Sequence, residues 1–244
     1  MRLDLFLSER GYAKSRTEAK GLIEEGLVLV CGRIVTKPAY SLSAEEEGDV
    51  ILLRRQNPYV SRGGLKLEAA LRQFPVSAKG ELCIDVGASS GGFTDCLLQN
   101  GAEHVIALDS GSGQLALSLR ADARVSVYEK YNARYLKEED LPYRPTFAVM
   151  DVSFISATYL FAPLYAVLAP GADFICLVKP QFEVGRAGLG KGGIVRDEKL
   201  RREALAKVLR SAEEEGFLAR GAMRSPIEGG DGNIEYLIHL KKPE

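Results

Sequence analysis

Asp85, Asp109, Asp151 and Lys179 each stand at the end of a short apolar run in this 244-residue chain. In open α/β sheets ligands sit beyond the carboxyl ends of the strands, so charge collected there is placed for chemistry. The first of these residues opens the most informative stretch, Leu82-Cys-Ile-Asp85-Val-Gly87-Ala-Ser89-Ser-Gly91-Gly92-Phe93-Thr94. A buried strand delivers a carboxylate to a glycine-rich turn, and the turn opens a helix expected from Phe93 to Asn100. Gly87 lets a ligand approach the backbone, and Gly91 and Gly92 permit conformations closed to residues with a Cβ. The spacing is not the G-x-G-x-x-G of dinucleotide sites, and the Gly-Lys-Ser/Thr ending of a phosphate-binding loop is missing. A carboxylate two residues before the first glycine suits a ligand with an amino group and a positive centre; S-adenosylmethionine is such a ligand. For this stretch alone, the alternative is an ordinary strand-turn-helix corner.

A second set is built from lysines and carboxylates. Asp151 and Lys179 end runs that should be neighbouring strands. Lys66, on an expected helix before the first strand, and Glu235, opening the last, are placed to meet them in the same cleft. Together they make a compact, near-neutral cluster, although each charge alone also reads as a surface ion pair. Asp109 ends the second strand, where an acid usually grips a ribose hydroxyl pair in nucleotide-binding α/β folds. With Asn132, which follows the third strand, the expected cofactor set is Asp85, Gly87, Ser89, Gly91, Gly92, Phe93, Asp109 and Asn132.

The elements that must position these residues alternate between strand and helix patterns from Glu81 onward. Strands are expected over Leu82–Asp85, His104–Leu108, Val125–Tyr128, Thr146–Met150, Asp173–Val178, Ala219–Met223 and Glu235–Leu240. The expected helices include Leu65–Phe74 and about Asp197–Glu215, with a Gly-rich basic loop, Gly185 to Arg196, before the latter. The fold class is a doubly wound α/β sheet, Rossmann-like and mostly parallel with an antiparallel last strand. Residues 1 to 55 read as a separate α+β module. Leu3, Phe6 and Leu7 give one helix face, and Ser15-Arg-Thr-Glu18 is a capping box for a second helix closed by Gly26. Three short strands follow, Leu27–Val30, Arg33–Val35 and Val50–Leu53. Residues 56–62, basic and centred on Pro58, read as a linker, and 63–244 as the larger domain.

Bulk properties remove several classes. Hydrophobic residues at 46% and charged residues at 27% fit an ordinary globular protein, and a net charge of −1 restricts any nucleic-acid surface to a local patch. The four cysteines are scattered singly and only two histidines occur, so neither a disulfide framework nor a metal site is expected. A reducing cytoplasm fits. No export signal is read in the opening residues, and the apolar run Tyr159 to Ala169, interrupted by Pro163, is far short of the ~20 residues needed to span a bilayer.

Two resemblances sharpen this reading. Arg2-Leu-Asp4, Ser15-Arg16, Leu22-Ile-Glu-Glu-Gly26, Val28, Val30, Gly32 and Val35 resemble the small RNA-binding domain of small-subunit ribosomal protein four. That implies RNA contacts from the basic helix face, Lys14, Arg16 and Lys20, joined by Arg62 at the end of the linker; solvating charge is the alternative. The Lys66, Asp151, Lys179, Glu235 order is similar to the tetrad of FtsJ-like ribose 2′-O-methyltransferases. Ser61-Arg-Gly-Gly-Leu-Lys66, Asp151-Val-Ser-Phe-Ile-Ser156, Lys179-Pro-Gln-Phe-Glu183, Gly190-Lys-Gly-Gly193 and Gly232-Asn-Ile-Glu235, with the glycine turn, look like the hemolysin A (TlyA) family. The likeness spans essentially the whole chain. It implies a class I methyltransferase that uses S-adenosylmethionine on ribosomal RNA or ribosomal subunits, with Lys66, Asp151, Lys179 and Glu235 catalytic. Two departures are Asp109-Ser-Gly-Ser-Gly-Gln114, where members more often have Val after the Asp, and Asn57-Pro-Tyr-Val60, which lacks the Arg-Ala-Trp-type linker of some members. A membrane-active cytolysin, as the family's older name implies, and an RNA-binding factor without methyl transfer are the competing readings. Oligomeric state is not legible.

Overall fold

The computed structural model describes residues 1–13, 15–24, 26–52, 57–230 and 232–244. Lys14, Leu53 and the first linker residue, Gln56, lie outside the described residues. The chain forms two units, Met1–Pro58 and Tyr59–Glu244.

The first unit packs two helices, α1 (Leu3–Glu9) and α2 (Arg16–Glu24), with three strands, β1 (Val28–Val30), β2 (Arg33–Ile34) and β3 (Val50–Leu52). The strands form an antiparallel sheet in the order β2-β1-β3. Ser15 Oγ accepts the Glu18 amide at 3.2 Å, which starts α2 at the expected cap. Leu3, Phe6, Leu7, Ala19, Ile23 and Val28 form the core, and each belongs to the apolar face visible in the sequence. Cys31 and Gly32 both have positive φ, as a two-residue hairpin turn between β1 and β2 requires.

The second unit begins with α3 (Gly63–Gln73) and β4 (Leu82–Val86), then α4 (Gly92–Gln99), β5 (His104–Leu108), α5 (Leu117–Arg120), β6 (Val125–Tyr128) and β7 (Phe147–Met150). It continues with α6 (Phe161–Val167), β8 (Asp173–Val178), α7 (Glu198–Glu214), β9 (Leu218–Arg224) and β10 (Tyr236–Lys241). Seven strands lie in the order β6-β5-β4-β7-β8-β10-β9. The first five in that order are parallel, and β10 runs antiparallel to both β8 and β9. Alternation along the strands builds two apolar layers. Ile84, Ile106, Ala148 and Phe174 face one side, packed with Phe161, Leu164, Val208 and Phe217. Cys83, Val105, Phe147 and Ile175 face the other, with Leu67, Ala70, Phe93 and Leu97 of α3 and α4.

Residues 59–62, read from sequence as linker, pack within this unit. A Cβ on Gly64 would lie 2.2 Å from Tyr59, whose ring rests directly on the helix backbone, and the Val60 amide donates to Asp95 at 2.8 Å. Ser61 and Arg62 lead straight into α3.

Parallel β4, β5, β7 and β8 end at one edge of the sheet, so Asp109, Asp151 and Lys179 emerge together there. Because β10 is antiparallel and Tyr236 pairs with Val178, Glu235 at its start reaches that same edge. The chain order reverses between β4 and β7, and this switch point is the crevice in which open α/β sheets bind ligands.

Candidate active site

Two cavities lie at this edge and share Gly87, Ser89, Asp151 and Ser153 in their walls. The first, about 290 Å³, is lined by Lys66, Arg62, Gly92, Phe93 and Lys179, and by Ile227, Glu228 and Gly230 of the loop before β10. The second, about 470 Å³, is lined by Asp109, Tyr131, Asn132 and Phe154, with Leu108, Val152, Ile155 and Leu160 as apolar wall.

The four charges form two ion pairs. Lys66 Nζ donates to Glu235 Oε2 at 2.5 Å, with both side chains almost wholly buried. Lys179 Nζ lies 2.5 Å from Asp151 Oδ1 and donates to Ser153 Oγ at 2.7 Å. Charges withdrawn from water need such partners, and the pairing also holds each ammonium in one place. Glu235 backs Lys66 rather than lining either cavity. The loop before β10 approaches it closely, since a Cβ on Gly229 would sit 2.5 Å from Glu235 Oε1.

The glycine turn is shaped by the protein's own packing. Gly87 has φ +85°, and a Cβ there would lie 2.5 Å from the Asp151 carbonyl oxygen. The sequence reading assigned this glycine to close approach of a ligand; in the structure the neighbouring strand end already demands it. Gly91, at φ +96°, leaves room for Leu119, and Gly92 leaves room for Ser61 and the first turn of α3. Ser89, itself at positive φ, donates its amide to Asp109 Oδ2 at 2.8 Å, while Gly111 donates to Oδ1 at 2.7 Å. These bonds fix the Asp109 carboxylate at the cavity wall and leave lone pairs for further donors. Asn132 Oδ1 accepts the Arg134 amide at 3.1 Å.

Asp85 is placed differently from the other expected cofactor residues. It is fully buried beneath the turn and lines neither cavity. Thr94 Oγ1 donates to its Oδ2 at 2.7 Å, and Oδ1 has no hydrogen-bond partner among the described residues. Burial pushes its pKa up to about 7, with the Thr94 hydroxyl pulling the other way. The folded chain therefore keeps a proton that the unfolded chain releases near the ordinary 3.8. Stability should fall as pH rises through this window and level off above about 7. Asp85→Asn mimics the neutral acid, so its stability relative to wild type should increase from about pH 5 to about pH 8 in urea unfolding. A constant difference across that range would remove Asp85 as the titrating group.

In the first unit, Arg16 Nε bonds Asp4 Oδ2 at 3.0 Å, and Arg2 grips the same carboxylate with two bonds at 3.0 and 2.9 Å. Hydrogen bonding from Arg2, then Arg16, brings the Asp4 pKa down to about 2 despite its burial. Arg2, Arg16 and Lys20 line one cavity of about 470 Å³, and Lys20 also lies 3.7 Å from Glu24. Sequence reasoning passed over Arg2 as a member of this basic face; its signal was the Arg-x-Asp spacing at the helix start. It also passed over Ser153 and the exposure of Phe154. Phe154 stands at φ +64° and 93% exposed beside the second cavity, where an apolar residue in an apolar-flanked string reads as core.

The FtsJ-like methyltransferase family matches residues 59–242, and the S4 domain family matches residues 1–51. YqxC of Bacillus subtilis is 48% identical over 99% of this chain and 86% of its own length. The 16S/23S rRNA (cytidine-2′-O)-methyltransferase TlyA of Mycobacterium tuberculosis is 43% identical over 98% of this chain and 89% of its own. The chain belongs to the TlyA family of FtsJ-like methyltransferases. A solved structure of a protein from Streptococcus thermophilus that bears the name hemolysin superposes with a TM-score of 0.77 at 42% identity, covering 100% of this chain and 89% of that one. Its name does not bring a membrane span with it: among the described residues of this TlyA-family chain, no helix is long and apolar enough to cross a membrane.

Proposed function

We propose that this protein methylates the ribose 2′-hydroxyl of cytidine in ribosomal RNA, using S-adenosylmethionine. The observation that carries the reading is the pair of lysine–carboxylate bridges on one cavity, joined through Gly87 and Asp151 to a second cavity with an acid at the end of β5.

The second cavity fits the cofactor. Asp109 and Asn132 in its wall suit ribose hydroxyls, and the apolar wall of Leu108, Val152, Ile155 and Leu160 suits a purine, while the buried Asp85, outside that cavity, supports the turn beside it through Thr94. When bound there, S-adenosylmethionine supplies an electrophilic methyl group. The chain's own residues act on the acceptor. A ribose hydroxyl is a poor nucleophile near neutral pH and must lose its proton as its oxygen bonds to carbon. Lys179 Nζ, on the first cavity, clamps the developing alkoxide as an ammonium, or takes that proton when it stands as the neutral amine. Asp151 and Ser153 aim Lys179, and Glu235 aims Lys66. The exposed Phe154 ring offers a stacking face for a base lifted out of its helix. Arg2, Arg16 and Lys20 of the S4 domain supply phosphate contacts, and Arg62 on the first cavity supplies another. A ribosomal substrate puts the activity in the cytoplasm.

The test is transfer of labelled methyl to isolated ribosomal subunits that lack the modification, followed by mapping of ribose methylation. Label on a base, or on no RNA, overturns the reading. Neutralising Arg16 and Lys20 should weaken subunit binding and lower its salt slope by roughly two, with cofactor affinity unchanged. An unaltered slope would leave that face as solvated charge.

A further inference from the structure

We propose that Glu183 is a positioning residue for methyl transfer: its buried carboxylate clasps the loop that carries Asp151 and Phe154 to the segment that carries Lys179. The proposal rests on the function above, and it begins with a carboxylate that the mechanism does not use. Glu183 is 7% exposed, four residues beyond Lys179 and outside both site cavities. Its Oε2 accepts Ser156 Oγ at 2.6 Å and its Oε1 accepts the Ala157 amide at 2.8 Å. Lys207 of α7 approaches the same carboxylate at 3.5 Å and donates to the Glu183 carbonyl at 3.2 Å. A buried carboxylate costs several kcal/mol unless its lone pairs are met, and here they are met by donors from the opposite loop.

The two segments are joined at both ends. At one end Lys179 holds Asp151 and Ser153; at the other Glu183 holds Ser156 and Ala157. Between them the rings of Phe154 and Phe182 meet with centroids 5.4 Å apart. Phe154 keeps a positive φ, strained for a residue with a Cβ, and such a conformation persists only where its surroundings over-determine it. Glu183 and Lys179, flanking the same short segment, provide that. Without Glu183 the loop loses its hydrogen-bonded tie at that end, and the Asp151–Lys179 geometry drifts with it.

Glu183→Ala should fold, because Glu183 lines an open cavity of about 380 Å³ beside α7 through which water can reach the abandoned donors. Hydrogen exchange at residues 152–158 should speed up by about tenfold or more, with the rest of the sheet unchanged. The methyl-transfer kcat should fall by about 10–100-fold, with a smaller change in KM for RNA. Glu183→Gln should restore most of the rate. Its Oε1 still accepts the Ala157 amide, and its Nε2 can donate to Ser156 Oγ, whose proton turns to Thr158 Oγ1 at 2.8 Å. Ser156→Ala, which removes one donor and no charge, should show the same pattern more weakly, and it stands in if Glu183→Ala does not fold. Normal exchange in a folded variant overturns the clasp. Faster exchange with a wild-type kcat makes it structural only and overturns the positioning role. A wild-type protein that methylates no RNA removes the proposed function instead, and the exchange result then decides the clasp on its own.

Discussion

Lys179→Ala should lower the single-turnover rate of methyl transfer by about 10²–10⁴-fold, the usual worth of a positioned general base, while barely changing affinity for S-adenosylmethionine. The two effects separate because the charge on the attacking oxygen changes only in the transition state, so a group acting on that oxygen contributes to rate and little to ground-state binding. The structure supports the separation: Lys179 lines the first cavity and not the one that Asp109 and Asn132 line. It also argues that the variant folds. The partner left behind, Asp151, lines both cavities, so water can replace the lost ammonium. Lys179→Arg decides between the two roles. A guanidinium can clamp an alkoxide but cannot give up its proton at working pH, and its planar fork does not fit the contacts to Asp151 Oδ1 and Ser153 Oγ as an ammonium does. Transfer by the Arg variant at near the wild-type rate, in single turnover on ribosomal subunits, would rule out the base and leave a positive clamp. Loss equal to that of the Ala variant, together with a wild-type rate that rises with pH as the amine is freed, would support the base.

How much of this site the sequence discloses depends on which physical signal each residue leaves. Asp109, Asp151 and Lys179 are legible because a parallel strand buried on both faces reads as an unbroken apolar run, and a charge closing such a run has only the sheet edge to occupy. Asp85, read in the same way, instead lies inside β4 and is buried beneath the turn. Glu235 is legible for the same reason in reverse, once the last strand is taken as antiparallel. The pairing is half legible: Asp151 and Lys179 meet because they end neighbouring strands, whereas that Lys66 belongs to Glu235 is set by where α3 crosses the sheet edge, which periodicity does not encode. The glycines show a subtler limit. Their special φ is visible as residue type, but the atoms that would meet a Cβ, the Asp151 carbonyl at Gly87 and Leu119 at Gly91, come from distant parts of the chain. Phe154 is misread by any rule that sends aromatic residues inward, because what exposes it is the loop held by Lys179 and Glu183. The short helix α5 and the tight turns at Pro180–Phe182, Arg186–Gly188 and Lys191–Gly193 were not foreseen either. Segments this short carry no usable periodicity.

Breaking the other bridge should have its largest effect on stability. Lys66→Met removes the ammonium that lies 2.5 Å from Glu235 and leaves a carboxylate with a 2% exposed side chain. Stranding one member of a buried pair typically costs about 3–5 kcal/mol, whereas replacing both members with apolar groups is often neutral or stabilising. The cost here should fall near the lower end, since Lys66 itself lines the first cavity and water can follow it toward Glu235. The double variant Lys66→Met/Glu235→Leu should therefore recover most of the lost stability in urea unfolding. It should not recover methyl transfer, because neither apolar side chain can restore the cationic wall of the cavity that receives the ribose. Stability and rate are thereby uncoupled: single and double variants differ in unfolding free energy but share the same loss of single-turnover rate. A Lys66→Met variant as stable as wild type would show that Glu235 finds another partner. A double variant that methylates at the wild-type rate would remove this bridge from catalysis and confine it to holding α3 against the start of β10.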